Sequence, residues 1–268
     1  MPTGKQPART MLNELDGRTW ERYSISVWDI TKTRAEAQMR HPAVFPLELC
    51  DRLLRVYTRK GDVVLDPFAG SGSVIAAAVR LGRKAIAFEI SPDYVRLIKS
   101  RVCLGDEAEP IDGWPRIMQE DAANLLMHVP EESLDFALTS PPYWDVHRRR
   151  RTADRGAARP YSTLPQDLGN AETYEEFLSR LAAVFEAVRR ALKPRRRCVV
   201  VVMDIRRGSS FIPFHMDLCH LMADHGFVLE DIIIWDRRRE YNNLRPLGYP
   251  SVFIVNKVHE YILIFRRE

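Results

Sequence analysis

The amino-acid sequence predicts an α/β protein built on a doubly wound, mostly parallel sheet of seven strands with helices on both faces. Two observations carry this. Seven short runs rich in β-branched and apolar residues alternate with helix-period stretches along most of the chain. The first run also leads directly into a Gly-rich turn that opens a helix, the start of a βαβ unit. At 268 residues and 46% hydrophobic, the chain can bury one large core.

Taken in order, residues 1–22 are polar and lack a sustained apolar period, so they read as a flexible lead-in to a single domain over 23–268. After Pro46, LELCDRLLRVY sets Leu49, Leu53 and Val56 on one helical stripe, ended by Thr58-Arg59-Lys60-Gly61. VVLD (63–66) is a short buried strand, and the small-residue helix VIAAAVRL closes at Gly82. KAIAFE is the next strand, ending at Glu89, and Ser91-Pro92 opens a helix to Cys103. PRIMQ and LDFALTS are strands three and four, the latter ending at Ser140. A helix from Thr173 to Leu192 stops at Lys193-Pro194, Arg195 to Arg197 read as a surface turn, and CVVVVMDI follows as a fully buried strand. A helix from Pro213 to His225 and the strands FVLEDIIIW and HEYILIF complete the series.

Composition removes several classes. Cys50, Cys103, Cys198 and Cys219 form no C-x-x-C pair, which argues against a zinc site or disulfide framework, predicts no metal, and suits a reduced cytoplasmic setting. No stretch approaches the ~18 consecutive apolar residues of a membrane span, and no apolar signal core begins the chain. Forty Lys and Arg against 36 Asp and Glu leave a formal +4, which permits a polyanionic partner without demanding one.

The turn Asp66-Pro67-Phe68-Ala69-Gly70-Ser71-Gly72 follows a strand, so Gly70 and Gly72 let the backbone pass close to a ligand at the carboxyl edge of the sheet. Glu89, at the next strand end, can accept hydrogen bonds from both hydroxyls of a ribose, and Asp121, after the third strand, can take an adenine amino group. Either acid alone is more often a helix cap or a solvated turn residue. Three successive strand ends together read as a nucleoside site. The third glycine of G-x-G-x-x-G is missing and no G-x-x-x-x-G-K-[ST] loop exists, so a cofactor without a pyrophosphate is the simpler choice.

Ser140-Pro141-Pro142-Tyr143, followed by Trp144, sits at the carboxyl end of the fourth strand. An exocyclic amine on a nucleic-acid base is a poor nucleophile because its lone pair is delocalised into the ring. The Ser140 hydroxyl and the Pro141 carbonyl can hold its two N–H bonds and aim the lone pair at an electrophilic methyl group. Two prolines stiffen the turn, and the Tyr143 ring offers a face on which an extruded base can stack. An isolated Pro-Pro-Tyr would instead be a rigid turn with a core aromatic.

DPFAGSG and TSPPYW together resemble the signatures of the amino-methylating DNA methyltransferases, the N6-adenine/N4-cytosine family. HPAVFPLELCDRLL (41–54) and HEYILIFRR (259–267) resemble further family segments, so the resemblance covers nearly the whole chain. It implies a Rossmann-like class I methyltransferase fold, S-adenosyl-L-methionine as cofactor and DNA as substrate. It assigns a cofactor-binding half to about 41–125 and a catalytic half to about 126–268. Asp66, Pro67, Phe68, Gly70, Gly72, Glu89 and Asp121 would line the cofactor, with His41 and Phe45 over its methionine end; read alone, the last two are a surface histidine and a core aromatic. Ser140, Pro141, Pro142 and Tyr143 would be catalytic, and Ser rather than Asp at position 140 associates with cytosine N4. The chain departs from the family in leaving only the stretches 145–170 and 237–256 for target recognition, which points to short or partner-supplied specificity.

Directly after the tetrapeptide, DVHRRRRTADRGAARP carries six arginines against two aspartates, an excess equal to that of the whole protein. Such a run is commonly a solvated loop; beside a base pocket, Arg148, Arg149, Arg150 and Arg151, with Trp144, become candidate DNA contacts. The alternatives are methylation of adenine N6, an RNA base-amino methyltransferase, or a non-catalytic DNA-binding subunit. Methylation at carbon 5 of cytosine is rejected because no cysteine follows a proline. A homodimer or a separate specificity partner, and a role beside a restriction enzyme, fit the same reading.

Overall fold

The computed structural model describes residues 12–39, 44–103, 111–148, 161–162, 164–241, 251 and 253–268. Seven of its strands are the seven expected from sequence. They are β2 (Val63–Asp66), β3 (Lys84–Phe88), β4 (Arg116–Met118), β5 (Leu134–Thr139), β6 (Leu192–Val202), β9 (Phe227–Asp236) and β10 (His259–Arg267). β1 (Val27–Trp28) joins them at one edge, giving an eight-stranded sheet in the order β1-β9-β10-β6-β5-β2-β3-β4. β10 runs antiparallel to both neighbours, β6 and β9, and every other pairing is parallel.

Alternate residues of each strand feed two separate cores, the period-2 consequence of a sheet covered on both faces. Val64, Ala85, Phe136, Val199 and Ile262 face one core with α3 (Leu47–Tyr57) and α4 (Ser73–Arg80). Leu65, Ile86, Ala137, Val200 and Leu263 face the other, with α6 (Tyr174–Ala191) and α7 (Phe214–Asp224). The stripe of α3 is Leu49, Cys50, Leu53 and Leu54, all fully buried, while Val56 is half-buried. Thr173 caps α6 by accepting from the Glu176 N–H, and Arg189 and Arg190 complement its last turn.

Three local expectations are corrected. The lead-in expected over 1–22 contains, in its described part, the helix α1 (Gly17–Tyr23), capped by Asp16. Asn13 is buried there and donates to the Val56 carbonyl, and Glu14 pairs with Arg83. Arg195 to Arg197 are the irregular start of β6 rather than a surface turn: Arg195 has φ +63°, the register with β5 shifts there, and Glu230 of β9 holds Arg197. CVVVVMDI is interrupted after Val202, and Ile205–Arg207 and Ser210–Ile212 form a separate hairpin, β7 and β8.

Candidate active site

The ends of β2, β3, β4 and β5 converge on one open cleft, and the sequence-expected residues Phe45, Asp66, Pro67, Phe68, Gly70, Glu89, Asp121, Ser140 and Pro142 all line it. His41 and Arg149, Arg150 and Arg151 lie outside the described residues. The Gly-rich turn is left-handed at Gly70 (φ +49°) and Gly72 (φ +77°). Gly72 does not line the cleft. A Cβ there would stand 2.9 Å from Ile98 on the helix α5 (Pro92–Cys103), so Gly72 serves helix packing instead of ligand approach. Arg101 of α5 fixes the turn, donating to the Ser71 carbonyl (2.6 Å) and to Ser73 Oγ (3.1 Å), and Ser73 donates to the Phe45 carbonyl (2.8 Å).

Glu89 is the pivot of this half. Its two carboxylate oxygens accept the N–H groups of Gly70 and Ser91, each at 2.8 Å. Burial pushes its carboxyl above the ordinary range, and the Ser91 and Gly70 amides pull the other way. Asp66 is 3% exposed and accepts from Thr139 Oγ1 (2.7 Å) and Phe68 N–H (3.1 Å). Burial pushes it up to about 7, against the pull of those two hydrogen bonds. Asp121 lines the cleft and also caps a short 3-10 turn (Ala122–Met127) by accepting from Ala123 N–H.

The Ser-Pro-Pro-Tyr turn divides. Ser140 and Pro142 face the cleft, whereas Pro141 is buried away from it. Tyr143 is corrected from base platform to core residue. It is 6% exposed, its ring meets Phe214 edge-on at 6.3 Å, and its hydroxyl stands 2.9 Å from Ser140 Oγ. Burial, and then the nearby Glu260, hold its phenol well above the ordinary value. Trp144 is likewise not a DNA contact, being 4% exposed with its indole N–H donated to the Ala171 carbonyl (3.1 Å) and Arg207 stacked on its ring. Arg148 is exposed.

Sequence reasoning missed the wall formed by Tyr161, Ser162, Gln166, Asp167 and Leu168. Asp167 is 3% exposed and organises it, accepting from Ser162 N–H and Oγ and from Gly169 N–H. The Asp-x-Gly triplet there is a turn signal that would have located the cap, though not its position on the cleft. Part of the stretch expected for target recognition therefore walls the cleft.

With this geometry in hand, comparison with known proteins is informative. The family model described as DNA methylase (N6/N4 type) matches residues 5–100 and 134–268. The chain belongs to that family. Over 100 residues it is 37% identical to the Type II methyltransferase M.BglI of Bacillus subtilis, spanning 36% of this chain and 28% of that protein. Over 74 residues it is 38% identical to the DNA adenine methyltransferase YhdJ of Escherichia coli K12, spanning 27% and 25%. In each case the match spans less than a third of the relative's length. Among solved structures, TrmN from Thermus thermophilus superposes with a TM-score of 0.52 at 17% identity, over 87% of this chain and 52% of the other. A SAM-dependent methyltransferase from Methanosarcina mazei gives 0.51 at 15% identity, over 80% and 96%. At these identities the likeness is one of fold, and it bears out the α/β class read from the sequence.

Proposed function

We propose that the chain methylates the exocyclic amino group of a base in DNA, cytosine N4 foremost, with S-adenosylmethionine as the donor. A single observation carries the reading: Ser140 at the catalytic turn lines the same cleft as Glu89 and Asp121, so acceptors suited to a nucleoside and to an amine share one cavity. The residues fit the cofactor chemically. Glu89 offers carboxylate oxygens to ribose hydroxyls, Asp121 an acceptor for an adenine amino group, Phe45 and Phe68 apolar faces, and Asp66 a buried acid without a cationic partner at 4 Å or less among the described residues. When bound, the cofactor supplies a methyl group on a sulfonium.

Ser140 accepts one N–H of the amine, drawing the lone pair out of conjugation. Because Ser140 faces a walled cleft, the base reaches it only after leaving the stack. Arg148 to Arg151 supply phosphate contacts, positioning the duplex without reading it. The preference for cytosine N4 follows the Ser at position 140; a specificity partner or second copy, cytoplasmic DNA as target and a role beside a restriction enzyme belong to the same reading. Nucleoside mass spectrometry of DNA and RNA from cells expressing the chain tests it. N4-methylcytosine in DNA is expected, N6-methyladenine alone would move the target base, and modified bases confined to RNA would overturn the substrate.

A further inference from the structure

Glu260 lies on β10, 117 residues from the catalytic turn in sequence, yet its Oε2 is 3.4 Å from the Tyr143 hydroxyl. It is 5% exposed, and its other oxygen is paired with Arg237. Arg237 is held in turn by Glu240, through Nη2 (2.6 Å) and Nε (3.1 Å), and its guanidinium lies 4.8 Å over the Trp235 ring. The Tyr143 hydroxyl faces two further oxygens, the Val201 carbonyl at 3.4 Å and Ser140 Oγ at 2.9 Å. A row of buried polar groups thus runs from the guanidinium to the hydroxyl that lines the cleft.

The direction of this row follows from which members carry protons. A carbonyl has none to give, and a carboxylate paired with a guanidinium is an acceptor only. The Tyr143 hydrogen is therefore spent inward, on Glu260 or Val201, and the phenol oxygen turns its lone pairs toward Ser140. Ser140 then donates its own hydrogen to Tyr143. Its lone pairs are left for the cleft. An amine undergoing methylation presents N–H bonds that need an acceptor. A serine that instead offered its O–H would compete for the very lone pair that must attack. Each hydrogen bond in such a row also polarises the next.

We infer that Glu260, anchored by Arg237, acts through Tyr143 as a positioning residue that fixes Ser140 as a hydrogen-bond acceptor for the substrate amine. This rests on the amine-methylating role proposed for Ser140. It gives the Tyr143 hydroxyl, rather than its ring face, the work in the tetrapeptide.

The test measures single-turnover and steady-state methylation of DNA by the full chain and its variants. Tyr143→Phe keeps the packed ring and removes only the hydroxyl. It should lower kcat by about 10- to 100-fold, the scale on which loss of orientation acts, with KM for cofactor and for DNA changed by less than about twofold. Glu260→Gln, whose amide can donate toward Tyr143 and reverse the row, should lower kcat similarly, and thermal unfolding of each variant shows whether the fold persists. On a Ser140→Ala background, Tyr143→Phe should cost nothing more, because its effect passes through Ser140; a merely structural role would lower the residual rate by the same factor again. A Tyr143→Phe protein that is folded and retains wild-type kcat overturns the inference while leaving the proposed function intact. A wild-type chain that methylates no base amino group overturns both.

Discussion

Two carboxylates stand buried on either side of the catalytic turn, and the protein treats them differently. Asp66, at the end of β2, is held by a threonine hydroxyl and a backbone amide, and its burial lifts it to about 7. Glu260, on β10, is buried to the same degree and carries an arginine on one oxygen. An acid left without a cation sits near neutrality and can respond to a positive ligand, whereas an acid locked to a guanidinium keeps a fixed polarity. One half of the site is poised to answer charge. The other is built to stay the same.

The comparison breaks most visibly at Asp66. Its folded value of about 7 exceeds the ordinary 3.8, so the folded state holds a proton that the unfolded chain has lost throughout that interval. Stability accordingly falls as pH rises from about 4 to about 7 and levels above, by on the order of 4 kcal/mol if Asp66 acts alone. Glu89, also raised by burial, adds in the same direction. Asp66→Asn retains an Oδ1 acceptor for Thr139 and Phe68 and should flatten most of that slope in denaturation measured across pH on the ligand-free protein. An unchanged slope would mean that Asp66 is ionised in the fold. Next in size, Ser140→Ala should lower kcat by about 10²- to 10³-fold, as removal of one preorganised polar group at a reacting centre does, while calorimetry shows cofactor affinity unchanged. Equal losses in both would dissolve the division between the halves. Smallest is Glu89→Gln, which keeps the shape and loses the charge, weakening cofactor binding by about 10- to 100-fold through its ribose hydrogen bonds, with kcat at saturation preserved.

What could be read from the sequence follows the range of the interactions. Every strand written as an apolar run before a helix was legible, because local period and turn chemistry specify it. β1 is two residues long and has no period to detect; it is fixed by pairing with β9 and by Trp28, 1% exposed. Lys193 to Arg197 look like a turn because strands rarely open with charge, and among the described residues Asp135 of β5 and Glu230 of β9 compensate them. Gly70, Glu89, Asp121 and Ser140 were legible as strand-end residues. Tyr143 and Trp144 were placed in the motif correctly and given the wrong side, since nothing in Pro-Pro-Tyr-Trp says which way a ring turns. Glu260 and Arg237 were invisible because their meaning depends on contacts across 117 and 23 residues.

The antiparallel insertion of β10 between β6 and β9 has a consequence in time. Among the described residues, the last to line the cleft is Leu168, but the strand that brings Glu260 to Tyr143 spans His259–Arg267. At synthesis rates of about 5 to 20 residues per second, some 5 to 20 s separate the two events. A nascent chain therefore owns the described lining residues of its cleft well before it can orient the serine that uses it, and the order of translation withholds the reactive arrangement until the sheet is closed.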